Sequence, residues 1–254
     1  MSIIEILWPA FVLAIALVLI HSIFGLEIIR RGVIFTDLAI GQIAAVGMAL
    51  SVAFMQGEYQ TLMTFGFAFV AALFITWATK RVQKVEAFIG LLYALGISSI
   101  MLVLAQSSEG TELFSKLSAA DILFTSKEEL YKSLVLYGVV GIVMFVIYPR
   151  LKGMQKEVLF FTMLAVTVTS SVQSAGVLVV FALLIAPSYA GLMQKKIAPF
   201  LFASLFGSFG ILIALVGSYQ FDLPTGYTII FVTVFTSLVF VVSLSLKNER
   251  SAES

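Results

Sequence analysis

RRGVIFTDLAIGQIAAVG, residues 30–47, runs two arginines into an apolar stretch and then sets Asp37 and Gln42 where a buried helix should hold only hydrocarbon. The composition around it identifies the solvent. Of the 254 residues 61% are apolar and only 11% charged, and the mean hydropathy is +1.10, whereas a soluble domain carries roughly 25% charge. Several apolar runs approach the ~20 residues a helix needs to cross ~30 Å of hydrocarbon. The fold class is therefore all-α: a polytopic membrane bundle of eight or nine spans. A net charge of +1 offers no case for nucleic acid as a partner, so the surrounding partner is membrane lipid. The absence of Cys excludes disulfides, thiolate metal sites and cysteine nucleophiles. Met1 to Ile29 lacks a basic leader region and continues into another apolar segment, so it reads as a span and not as a cleavable signal.

Working outward, spans fall at about Ile3–Ile29, Val33–Phe54, Thr61–Thr79, Ala87–Ala105, Leu130–Tyr148, Val158–Val172, Gly176–Met193, Pro199–Gly217 and Tyr227–Leu246. Basic residues gather at alternate ends: Arg30 and Arg31; Lys80, Arg81 and Lys84; Arg150, Lys152 and Lys156; Lys195 and Lys196; Lys247 and Arg250. The positive-inside rule puts all five clusters in the cytoplasm of a cell-membrane (inner-membrane) protein with its N-terminus outside. Val158–Val172 is the shortest span, and paired with its successor as a re-entrant element it would leave eight crossings. Residues 106–129 read as a short amphipathic helix at the interface. A single transmembrane domain over 1–246 and a short cytoplasmic tail over 247–254 complete the organisation. No polar stretch reaches the ~50 residues of a compact soluble domain, so any energy source belongs to another chain.

An Asp near mid-bilayer costs about 2.5–3.5 kcal/mol on insertion scales, and intramembrane acids tend to face the protein interior and bind something. Two readings of Asp37 stand: it pairs with Arg30 or Arg31 or caps a helix broken near Gly32, or it contacts a cation on its path. Gln42 lies about 140° around an ideal helix from Asp37, so the two share a face only if Gly41 allows a kink. Gly41 and Gly47 also suit close helix packing. In TVTSSVQS, 167–174, Thr167, Ser170 and Ser174 fall at helical spacing on one face. They either line a path or bond back to their own helix. His21, the sole histidine, reads as a hydrogen-bonded packing residue or as a metal ligand assisted by other helices. No HExxH, GxSxG or Walker pattern is present, which leaves no catalytic residues, no bound cofactor and no enzyme activity in the chain itself.

RRGVIFTDLAIGQIAAVG, EAFIGLLYALGISS at 86–99, AGVLVVFALLIAPSYAG at 175–191 and FDLPTG at 221–226 stand in order along the chain. Together they resemble the permease family of ATP-binding-cassette importers for manganese, zinc and iron. The resemblance implies a homodimeric pore, a cytoplasmic ABC ATPase dimer, an extracytoplasmic metal-binding protein, and a divalent metal ion as substrate. The family's second-helix aspartate falls on Asp37. Its histidine falls on Gly41 or Gln42, depending on which end of the segment is matched, so an imidazole is replaced at best by an amide oxygen, a harder donor. The family's cytoplasmic coupling segment corresponds only to PRLKGMQKE, 149–157, with Arg150, Lys152 and Lys156 as its ATPase-facing residues. That shortness also admits a permease-like protein working without an ATPase, as an accessory subunit or ion-coupled carrier. In the Lys195→Cys variant, the thiol is expected to react with an impermeant maleimide from the cytoplasmic side alone; labelling from outside reverses the topology.

Overall fold

With no water in a bilayer core, each backbone amide and carbonyl needs a partner within its own segment, so an apolar chain of this kind folds as helices. The computed structural model describes residues 3–105 and 122–253, and among these every regular element is helical. In chain order they are α1 Ile3–Arg31, α2 Thr36–Met55, α3 Gln60–Arg81, α4 Val85–Leu104, α5 Lys127–Ile142, α6 Gly153–Ala175, α7 Val177–Met193, α8 Pro199–Phe221 and α9 Thr225–Glu253. The interfacial helix expected within 106–129 falls largely on 106–121, outside the described residues. From Ser126 onward the chain already belongs to the start of α5, where the Ser126 hydroxyl accepts from the Glu129 amide at 3.1 Å.

Among the described residues, eight segments are long and apolar enough to cross a membrane. The sixth is longer than hydropathy indicates: α6 extends five residues before Val158 and three beyond Val172, because polar ends such as GMQKE and QSA keep helical hydrogen bonds. The short element is α7, whose 17 residues span only about 25 Å at ~1.5 Å per residue. A single residue, Gly176, separates α6 from α7. Its φ of 86° is a conformation open to glycine and costly for other residues, and it separates the two helices. At the other end of the chain α9 runs without a break through the 246/247 boundary to Glu253.

After α5 the helix widens into a π segment, Val143–Ile147, and tightens into a 3-10 turn, Tyr148–Arg150. Pro149 accounts for this. Its ring would clash with the Phe145 carbonyl in a regular helix, and the wider winding, in which the Tyr148 amide bonds to Val143, moves that carbonyl aside.

Two sub-bundles share the core. In one, α1 packs against α5, α7 and α8, with α9 closing over α7 and α8; in the other, α2 packs against α3, α4 and α6. Lipid tails are as apolar as leucine, so helices associate through close packing at small residues. Gly25 shows how close. A Cβ there would lie 2.0 Å from the Leu184 carbonyl oxygen and 2.4 Å from the Ser188 hydroxyl. Gly47 seats α2 on α3, where a Cβ would lie 2.5 Å from the Met63 oxygen. Large apolar side chains such as Leu91 (72% exposed) and Phe231 (66%) cover the outside. Gly25→Ala is expected to destabilise the detergent-solubilised protein by about 1–3 kcal/mol through overpacking. Gly66→Ala, where a Cβ meets nothing within 4 Å, serves as the control; equal thermal midpoints would refute the close-packing account.

Candidate functional site

The stretch quoted above becomes the end of α1, a sharp turn and the start of α2. Gly32, at φ 67°, closes α1: its amide bonds to Ile29 and the Val33 amide to Ile28, the double bond of a Schellman end with Val33 packed back on Ile28. Both the amide and the hydroxyl of Thr36 then bond to the Val33 carbonyl, at 3.2 and 2.7 Å. The helix is therefore broken at Gly32, and Asp37 enters the first turn of α2.

Asp37 is 1% exposed, and neither carboxylate oxygen has a hydrogen-bond partner. It lies beside the amides of Asp37 and Leu38, near enough to Glu86 to feel its charge. The helix N-terminus offsets part of the carboxylate's charge. Glu86, in the first turn of α4, accepts from the Phe35 amide at 3.2 Å through Oε1, while its Oε2 is buried and unpartnered. It adds a second negative group to the same corner.

The arginines do not supply the counter-ion. Arg30 is exposed. Arg31 donates to Glu157 at 2.5 Å, to Glu27 at 3.0 Å and to the Tyr148 hydroxyl at 2.7 Å, and Tyr148 in turn donates to Glu27 at 2.8 Å. Its guanidinium also lies 4.3 Å from the centre of the Phe160 ring. The planar fork of arginine suits such a many-sided grip. Thus the arginine closest in sequence to the start of α2 is taken by carboxylates from α1 and α6.

The other expected site residues do not converge on Asp37. α2 runs through Gly41 as one continuous helix, and Gly41 packs on Val177 and Val168. Gln42, 4% exposed, instead faces α4, where a Cβ on Gly96 would sit 2.8 Å from its own. Thr167 bonds to the Met163 carbonyl, and Ser174 to Glu129 and more weakly to the Ser170 carbonyl. Ser171, which the helical spacing had not singled out, is joined to Tyr137 at 3.0 Å. This row thus faces α5. His21 donates through Nδ1 to the Leu17 carbonyl at 2.8 Å, while Nε2 is buried without a partner. It lies ten residues, about 15 Å, up the helix from Arg31. Among the described residues no group of three or more His, Asp or Glu side chains is placed to hold a metal.

In the basic connection, Arg150 and Lys152 are exposed. Lys156 lies over the Tyr148 ring at 4.6 Å. Helical structure claims most of the nine residues, leaving only Leu151 and Lys152 between the 3-10 turn and α6. A cavity of about 240 Å³ opens beside Arg31, Val33, Thr79, Lys80, Val85, Glu157 and Phe161.

These features define a multi-pass membrane protein with a buried acid that no cation among the described residues neutralises. Residues 3–247 match the ABC 3 transport family, and the chain belongs to that family. The manganese transport system membrane protein MntC of Listeria monocytogenes is 24% identical over 94% of this chain and 90% of its own length. A probable iron transport system membrane protein of Haemophilus influenzae is 27% identical over 66% of each. The structure of PsaBC from Streptococcus pneumoniae in complex with Fab has the same fold, with a TM-score of 0.75, 20% identity and 95% of both chains covered.

Opposite stability responses are expected at the two charged positions. Arg31→Met leaves Glu157 unpaired and Glu27 with only the Tyr148 hydroxyl, and should cost about 2–4 kcal/mol, allowing for their partial exposure. Asp37→Asn removes an uncompensated charge and should leave the thermal midpoint equal or higher. A lower midpoint for Asp37→Asn would show that this carboxylate holds the fold together.

Proposed function

We propose that the chain is the membrane-spanning permease subunit of an ABC importer carrying a divalent metal cation, or a metal complex, as its substrate. It works as a homodimer in the cell (inner) membrane, basic ends toward the cytoplasm. A separate cytoplasmic ATPase dimer drives alternating access, and an extracytoplasmic protein delivers the metal. The relatives named for manganese and iron transport support the substrate class. The observation that carries the reading is the state of Asp37: a carboxylate buried in the first turn of α2 with both oxygens free of partners.

Asp37 is the group that meets the cation. Its oxygens are hard donors, suited to manganese and ferrous ions. Gln42 offers an amide oxygen farther along α2 toward α4, so an ion meets the two in succession and not at once. Thr167, Ser170 and Ser174 would contribute only as their present bonds open. His21 is left to packing. Binding by so few ligands stays weak enough for release, as conduction requires. The chain itself performs no covalent chemistry; ATP hydrolysis is the partner's. Arg150 and Lys152 are the exposed cations nearest the ATPase, and with Lys156 they form the docking edge.

The test is co-purification of the full chain with nucleotide-binding subunits of its own genome, followed by reconstitution in liposomes. A stable complex is expected, with ATP hydrolysis stimulated by Mn²⁺ and uptake abolished by Asp37→Asn. A chain that retains no ATPase under mild detergent, or that takes up metal undiminished as Asp37→Asn, contradicts the proposal.

A further inference from the structure

We propose that Arg31 is the positioning residue through which movement of the short basic connection reaches Asp37; this rests on the ABC-importer reading above. The connection is too short to carry a coupling helix of its own, since only Leu151 and Lys152 lie outside helical structure. A push on it therefore passes directly into the elements on either side. Tyr148 begins the 3-10 turn that leads into it, and Glu157 sits in α6 just after it. Both hold the same side chain. Arg31 donates to the Tyr148 hydroxyl at 2.7 Å and to Glu157 at 2.5 Å, from positions separated by 117 and 126 residues of sequence. Lys156, beside Glu157 in the first turns of α6, rests on the Tyr148 ring at 4.6 Å.

From Arg31 the path onward is covalent and stiff. Gly32 turns the chain, Val33 is bonded back to Ile28, Thr36 is bonded to Val33, and Asp37 follows. A shift of the Arg31 backbone thus carries the start of α2 with it. The link is also tethered to α4 through the Phe35 amide and Glu86. Two features leave room for movement here. The π and 3-10 windings before the connection depart from regular helix geometry, a state often found at functional hinges. The 240 Å³ cavity lies against Arg31, Glu157 and Val33 themselves. Displacement of Tyr148 and Glu157 in opposite senses would release the guanidinium toward that space and reorient the first turn of α2.

A mere staple would also use these bonds, so the deciding readout is the ratio of metal moved to ATP hydrolysed. The full transporter, permease with its ATPase partner, is reconstituted in liposomes with Mn²⁺ as the probe. For Arg31→Gln, ATP turnover is expected to stay within about twofold of wild type while uptake per ATP falls by about tenfold or more. Tyr148→Phe keeps the ring and both ion pairs and removes only the bridging hydroxyl. It should lower the ratio by roughly threefold with assembly intact, and so serves even where Arg31→Gln fails to fold. Uptake and hydrolysis falling in equal proportion, or an unchanged ratio in Tyr148→Phe, overturns the proposal while a coupled wild type leaves the importer reading standing. A wild-type transporter without ATP-driven uptake overturns both.

Discussion

The structure turns on how charge is distributed over one corner of the bundle. Four acids, Glu27, Asp37, Glu86 and Glu157, approach the junction of α1, α2, α4 and α6, and one half-buried arginine, Arg31, lies among them. Arg31 binds Glu27 and Glu157. Asp37 is left to the amide end of its helix, in a setting where an isolated carboxylate is disfavoured. Such an arrangement weakens a fold if stability alone is at stake. It becomes useful if a mobile cation supplies the missing charge for part of a cycle and then departs.

The rest of the bundle holds that corner in place. Gly25 brings α1 against α7, Gly47 brings α2 against α3, and Gly96 brings α4 against Gln42. α2 is consequently enclosed along most of its length, with Ile40, Ala44 and Ala49 among the buried residues. The one-residue link at Gly176 ties α6 to α7, so the two sub-bundles are joined both by chain and by the packing of Gly41 on Val168 and Val177. The first turn of α2, where the charge lies, is enclosed as well, with Thr36 and Asp37 both buried.

Much of the architecture was legible because a membrane span is written locally. Length, hydropathy and the alternation of basic clusters place the helices within a few residues, and Asp37 stands out against an apolar background. What escaped was non-local. The reach of α6 beyond its apolar run depends on backbone bonding that hydropathy does not measure, and hydropathy placed the shortness one helix too early. Arg31 could be noticed in sequence beside Asp37, yet its partners Tyr148 and Glu157 lie more than a hundred residues away. No spacing rule links them. Glu86 appears in a motif as a helix-start acid, while its contact with the Phe35 amide requires the parallel packing of α2 and α4. For Thr167 and Ser174 periodicity reports a shared face correctly but not the neighbour that face meets.

The account depends on the Asp37 carboxylate receiving a cation from outside the chain. Infrared difference spectroscopy of the reconstituted full chain, recorded on adding Mn²⁺, observes that event at the carboxylate itself. A change in carboxylate stretching bands that is present in wild type and missing from Asp37→Asn is the predicted result. Identical difference spectra from the two proteins would contradict it.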